Sequence, residues 1–262
     1  MLIILCIIFI SLILLIGGNS SAKSLITISL NTLMLLSVIF FIYKGFNPLT
    51  VSIPACVLIS IIAVFYQNGY NIKTKTAFIS ILIILAIMLP IVYLWGGMAD
   101  IQGFTKEQFE ITDSNGYSRN IGINMSLLQL SIIIMLVTGT IIDTAVAVSS
   151  ALYQVYENNR ELNRLQLFES GLNIGKDILG TTIQTIFFIF IAEYMNLIIQ
   201  FMDGYSLYRI INSKSFAQET ISIFSTCIGC TAIIPLTAFI SSAMFSHTES
   251  YSCLPHRFRS FP

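Results

Sequence analysis

The sequence predicts an all-α fold, a polytopic transmembrane helix bundle of about seven spans. Three observations predict it. Apolar residues fill 55 % of the 262 positions and charged residues only 10 %, against about 25 % charged in a soluble domain. The apolar residues form long unbroken runs, whereas the strands of a membrane barrel would alternate at every second position. Short polar connectors separate most of the runs. Thirteen basic and thirteen acidic side chains cannot wet the surface of a globule this long. Their formal net charge of +0 leaves no basic footprint, which excludes a nucleic-acid binder. The lipid bilayer is the expected partner.

A helix crossing the hydrocarbon needs about 20 mostly apolar residues. In lipid each backbone N–H and C=O must be paired within its own segment, so every such run reads as a helix. The first run, 2–17, is short, and Met1 to Gly18 carries no charge. A secretory signal peptide would show a basic start and a small-residue cleavage site, so a retained span is expected. The next three runs are 24–43, 49–66 and 76–95. Then comes a long connector, Gly96 to Asn124, with Asp100, Glu107, Glu110 and Asp113 against Lys106 and Arg119. A fifth run covers 126–152. The connector Glu157 to Lys176 holds Arg160 and Arg164 and reads as an amphipathic surface segment, with Leu162, Leu165 and Phe168 toward the bilayer. The sixth and seventh runs are 178–202 and 220–245. One transmembrane domain, 1–250, accounts for the chain, and 251–262 reads as a disordered tail.

Orientation follows the Lys and Arg distribution. With the N-terminus outside, the cytoplasmic side receives Lys23, Lys73, Lys75, Arg160, Arg164, Lys176, Arg257 and Arg259. The other side receives Lys44, Lys106, Arg119, Arg209 and Lys214. That split of eight to five favours N-out, C-in and a multi-pass protein of the cell membrane.

A charge at the centre of a spanning helix costs about 2.5–3.5 kcal/mol on insertion scales, so it requires a partner, water or a proton. Asp143 and Glu193 lie well inside spans, and Asp177 stands at the mouth of the sixth. Gly139, Asp143, Ala147 and Ala151 recur every four residues and share one narrow helix face. Small residues let helices approach closely in lipid, so this stripe is expected against another helix, with the carboxylate in the bundle interior. Such an acid either pins two helices in register or helps move protons or ions, and the residues alone leave both open.

Gly171 and Gly175 form a GxxxG pair, with Gly180 a turn further on. Asn173, Asp177, Thr181 and Gln184 share a second face, a polar stripe running into the membrane. Glu193, with Asn196 and Gln200, makes a separate polar face suited to another helix. Ser222, Ser225, Thr226, Gly229 and Ala232 give the seventh span a small, hydroxyl-rich face. Pro235 lies about midway along that span and removes one helical hydrogen bond.

No enzyme is expected, for want of a nucleophile and its base. Cys227 and Cys230 form a CxxC, but inside an apolar helix. His247, Cys253 and His256 match no zinc pattern, and no Walker loop or dinucleotide fingerprint is present. Asp177 follows Gly-Lys rather than the Gly-x-Gly of intramembrane aspartyl proteases. No cofactor or metal is expected.

Gly139 to Tyr153, GTIIDTAVAVSSALY, and Phe168 to Thr182, FESGLNIGKDILGTT, resemble blocks of the YibE/F-like family of bacterial multi-pass membrane proteins. Ser222 to Ala238 is similar to a later block of that family, while the tail after His247 lies outside the pattern. The resemblance implies a permease-type integral membrane protein and supplies no substrate or catalytic residue. Two functions are therefore expected. The first is a transporter of a small solute or ion, lined jointly by Asp143 and by Asp177, Thr181 and Gln184. The second is a non-transporting scaffold that docks another membrane subunit, either a homologous protein or a second copy.

Overall fold

The computed structural model describes residues 1–99, 101, 110–112, 118–120, 122–204, 206, 208, 212 and 214–248. The expected tail, 251–262, and most of the acidic 96–124 connector lie outside the described residues. The helices are α1 (Leu2–Tyr43), α2 (Pro48–Ile61), α3 (Ile72–Met98), α4 (Met125–Asn158), α5 (Arg164–Gly204) and α6 (Lys214–Thr248). The bundle is helical and polytopic. Among the described residues, six helical segments are long and apolar enough to cross a membrane: Ser20–Tyr43, Pro48–Tyr66, Ile72–Met98, Met125–Asn158, Arg164–Ala192 and Phe216–Ser246.

The first expected run is shorter than the other six: Ile7–Gly18 is an apolar helix below spanning length. It joins the next helix through Gly18, whose φ of 52° and ψ of −134° interrupt α1. Only glycine takes up that backbone readily. An unbroken helix of 42 residues would be about 63 Å long, twice the hydrocarbon thickness of about 30 Å. The kink divides it into two usable pieces.

Local chemistry sets the other helix starts. Asn47 accepts the Leu49 N–H at 3.1 Å ahead of Pro48, which fits the first turn because its missing N–H would be unpaired there anyway. Asn124 accepts the Leu127 N–H at 3.2 Å. At the start of α5 the Asn163 N–H donates to Gln166 Oε1 at 2.9 Å. That helix then runs 41 residues without interruption. Residues 164–176 are thus the first turns of a spanning helix rather than a separate surface segment. Leu165 is exposed, but Leu167 is buried with Leu152 and Phe245, and Leu162 packs on them.

A short antiparallel hairpin, β1 (Glu110–Thr112) with β2 (Ser118–Asn120), pairs Ile111 with Arg119 in the connector before α4. It lies between spanning helices and leaves the bundle class unchanged.

α4 and α6 form the centre. α6 packs against α3, α4 and α5, α4 also meets α2, and α1 lies against α2. Ile81, Ile84, Leu85 and Met88 of α3 interlock with Ile133, Val137 and Ile141 of α4 and with Ile233 and Ile234 of α6. Polar side chains stitch the same layer. Ser149 Oγ donates to the Lys73 carbonyl at 2.6 Å and stands 2.8 Å from Thr76 Oγ1, so α3 and α4 are joined inside the interface.

Candidate functional site

Asp143 sits about halfway along α4, but not in the interior. Gly139, Asp143 and Ala147 are all exposed, and Ala151 is half-buried. A Cβ placed on Gly139 would meet nothing within 4 Å. The expected close seam at Gly139 and Ala147 is therefore not formed within this chain. The physical reason is competition between faces of α4. Helix association in lipid is driven largely by van der Waals packing, and within this chain the opposite face of α4 supplies it. Ile133, Val137, Ile141, Val148 and Leu152 occupy the other side and are fully or almost fully buried. The small, acidic stripe is left facing outward.

Outward does not mean featureless. Asp143 lines an open cleft of about 240 Å3 together with Ala63, Gln67, Asn68, Ile142, Val146, Ala147 and Ser150. The opposite wall is the end of α2, where Ile62–Tyr66 forms a π-helical turn. Such turns leave a carbonyl without its usual helical partner and recur at functional sites. Here the Asn68 side-chain amide donates to the Ala63 carbonyl at 3.2 Å. Gln67 donates to Ser24 Oγ of α1 at 3.2 Å. The result is a carboxylate near two amides and a hydroxyl, a set able to exchange hydrogen bonds with a polar group or to hold a small cation through its oxygens.

The stripe on α5 lies elsewhere. Asn173, Asp177, Thr181 and Gln184 are exposed. Lys176 Nζ donates to Asn173 Oδ1 at 3.4 Å, and Thr181 donates to the Ile178 carbonyl at 2.9 Å. Among the described residues, none of α5 lines the Asp143 cleft. The two polar groups expected to line one pathway are thus not brought together. Glu193 is helical within α5, and its side chain, with those of Asn196 and Gln200, lies outside the described residues.

The glycine pair on the opposite face of α5 does bring helices together. A Cβ on Gly171 would stand 2.9 Å from Ala238 Cβ and 3.2 Å from Leu152 Cδ2, and one on Gly175 would collide with Ile234. Gly180, by contrast, has nothing within 4 Å. In α6, Gly229 performs the same service toward α4, where a Cβ would lie 3.0 Å from Val137 Cγ1. Ser225 and Thr226 are fully buried. Pro235 is exposed within an α6 that continues to Thr248. Of the CxxC pair, Cys230 is buried with the Thr144 hydroxyl 3.8 Å from its sulfur, and Cys227 is half-exposed.

Sequence reasoning missed Gln67, Asn68 and Ser150. The first two close an apolar run and read as connector. Only the π-helical turn, which no residue pattern announces, sets them opposite Asp143.

No curated protein and no solved structure matches the chain. The family model described as YibE/F-like protein matches residues 5–247, a range that ends where the bundle ends and takes in both acid-bearing helices. The chain belongs to the YibE/F-like family.

Proposed function

We propose that this chain is a subunit of a cell-membrane assembly, in which the Asp143 face of α4 docks a second membrane helix. The observation that carries this reading is the exposure of Asp143 on a stripe of small residues, with open space at Gly139. A carboxylate within a spanning helix is costly unless a partner, water or a proton meets it. A partner helix that brings a hydrogen-bond donor removes that cost, and Gly139 and Ala147 allow its backbone to come close. A second copy of the chain or a homologous membrane protein fits the role. Extraction in a mild detergent followed by mass measurement tests it. A stoichiometric complex is expected, with Asp143→Asn shifting it toward the single chain. A single chain in both samples overturns the proposal.

A second reading, a permease for a small solute or ion, is favoured by the polar lining of the same cleft: Asp143, Gln67, Asn68 and Ser150. Uptake into proteoliposomes, compared between the parent and Asp143→Asn, checks it. At least a tenfold loss in the variant supports transport, and identical uptake of every solute tried removes it.

A further inference from the structure

The Asp143 cleft is built where α2 gives out. The helical run that starts at Pro48 ends at Asn68, and Gln67 and Asn68 line the cleft together with Asp143 and Ser150. A helix C-terminus is the negative pole of the helix dipole, so it favours a cation. Gln67 and Asn68 also lie just past Tyr66, the last residue of the spanning segment Pro48–Tyr66. The cleft therefore reaches the membrane edge, where water and ions can enter it.

Hydrogen bonding decides which atoms are left for a ligand. The Ala63 carbonyl can only accept, so it takes the Asn68 amide nitrogen, at 3.2 Å. Ser24 Oγ gives its hydrogen to the Ser20 carbonyl at 3.4 Å. It therefore also receives a nitrogen, that of Gln67, at 3.2 Å. The two amide oxygens, Gln67 Oε1 and Asn68 Oδ1, are left over. Among the described residues, no hydrogen bond or ion pair engages these oxygens, the Asp143 carboxylate or the Ser150 hydroxyl. One cleft thus gathers a carboxylate, two amide oxygens and a hydroxyl.

No lysine or arginine lines the cleft, and Lys75 is held over the Tyr70 ring at 4.6 Å instead. Such a set repels an anion and suits a hard cation, which takes oxygen ligands. One carboxylate balances one positive charge. A divalent ion would leave a charge uncompensated beside Ile142 and Val146, which is costly. The volume of about 240 Å3 admits an ion with several waters, each of about 30 Å3 in the liquid. We infer that the cleft binds one alkali-metal cation, held by Asp143, Gln67 Oε1, Asn68 Oδ1, the Ser150 hydroxyl and water. The inference rests on the cleft of the permease reading and names its ligand class, but binding is measured without uptake.

The purified full chain in phosphatidylcholine nanodiscs, equilibrated with radioactive sodium at constant ionic strength in choline chloride, provides the test. The parent should bind about one sodium ion per chain, saturably, with potassium competing. Asp143→Asn should weaken binding at least tenfold, and Ser150→Ala at least threefold. Asp143 is exposed and Ser150 half-buried, so unfolding midpoints in choline alone should match the parent. Sodium should raise the midpoint of the parent and leave that of Asp143→Asn unmoved. If Asp143→Asn does not fold, Ser150→Ala carries the comparison. Absence of saturable binding, equal binding by parent and variants, or displacement by calcium at lower concentration than by potassium overturns the inference. Binding without uptake removes the permease reading and leaves the cation site. Uptake of a solute without saturable sodium binding does the reverse.

Discussion

Gly171 of α5 and Ala238 of α6 face each other so closely that a Cβ on the glycine would stand 2.9 Å from the alanine Cβ. Gly139, on the acidic stripe of α4, has open space at the same point. Two glycines on small-residue faces thus have opposite roles within one chain. Leucine at Gly171 or Gly175 should force α5 off α6, and overpacking of this kind costs about 1–3 kcal/mol. Leucine at Gly139 should leave the stability of the isolated chain almost unchanged while weakening assembly. Unfolding midpoints in mixed micelles, read beside the mass of the detergent complex, separate the two effects.

The link between α3 and α4 makes a second prediction. Ser149 contacts both the Lys73 carbonyl and Thr76 Oγ1 in a buried interface. Hydrogen bonds between membrane helices average about 0.6 kcal/mol and reach about 1.7 kcal/mol. Ser149→Ala should fall at the upper end, because it breaks two contacts. Thr76→Val should cost less in the Ser149→Ala background than alone. A double-mutant cycle measured by equilibrium unfolding reads this coupling, and strict additivity would refute it.

Helix caps are expected to matter at the membrane edges. Asn47 and Asn124 each accept a backbone N–H at the start of a spanning helix. Alanine at either position should destabilise by about 0.5–2 kcal/mol, and serine should restore most of the loss. Thermal unfolding of the paired variants gives the comparison. Equal effects of alanine and serine would show that side-chain capping is not the cause.

Topology yields a prediction that turns on the kink at Gly18. The distribution of basic residues predicts a cytoplasmic position for Arg160 and Arg164, so cysteines introduced there should resist membrane-impermeant reagents applied to intact cells. A cysteine at position 1 should react from outside if the first 17 residues cross the bilayer. Protection there, with Arg160 unchanged, would assign Ile7–Gly18 to the inner surface and leave the side of every later connector as expected. Labelling at Arg160 from outside would reverse the whole arrangement.

The helical spans were legible because lipid leaves the backbone few alternatives, and their hydropathy depends on composition alone. The GxxxG spacing of Gly171 and Gly175 was visible, but it lay in a stretch that read as a surface connector, and only the assembled helices seat it against Ala238 and Ile234. The continuity of α5 from Arg164 was not. Residues 164–176 carry enough charge to read as a surface segment, and only packing of Leu167 against Leu152 and Phe245 shows that the helix has already begun.

By itself, the sequence determined that the chain is a multi-pass helical membrane protein, which residues share each helix face, and where its charges would be costly. Tertiary structure alone decided which faces meet. It turned the Asp143 stripe outward and set Gln67 and Asn68 beside it through a π-helical turn. The reason lies in the solvent. Acyl chains are as apolar as leucine, so hydrophobicity does not distinguish an inward face from an outward one. That choice falls to the fit of particular side chains, which becomes visible only when the helices are assembled.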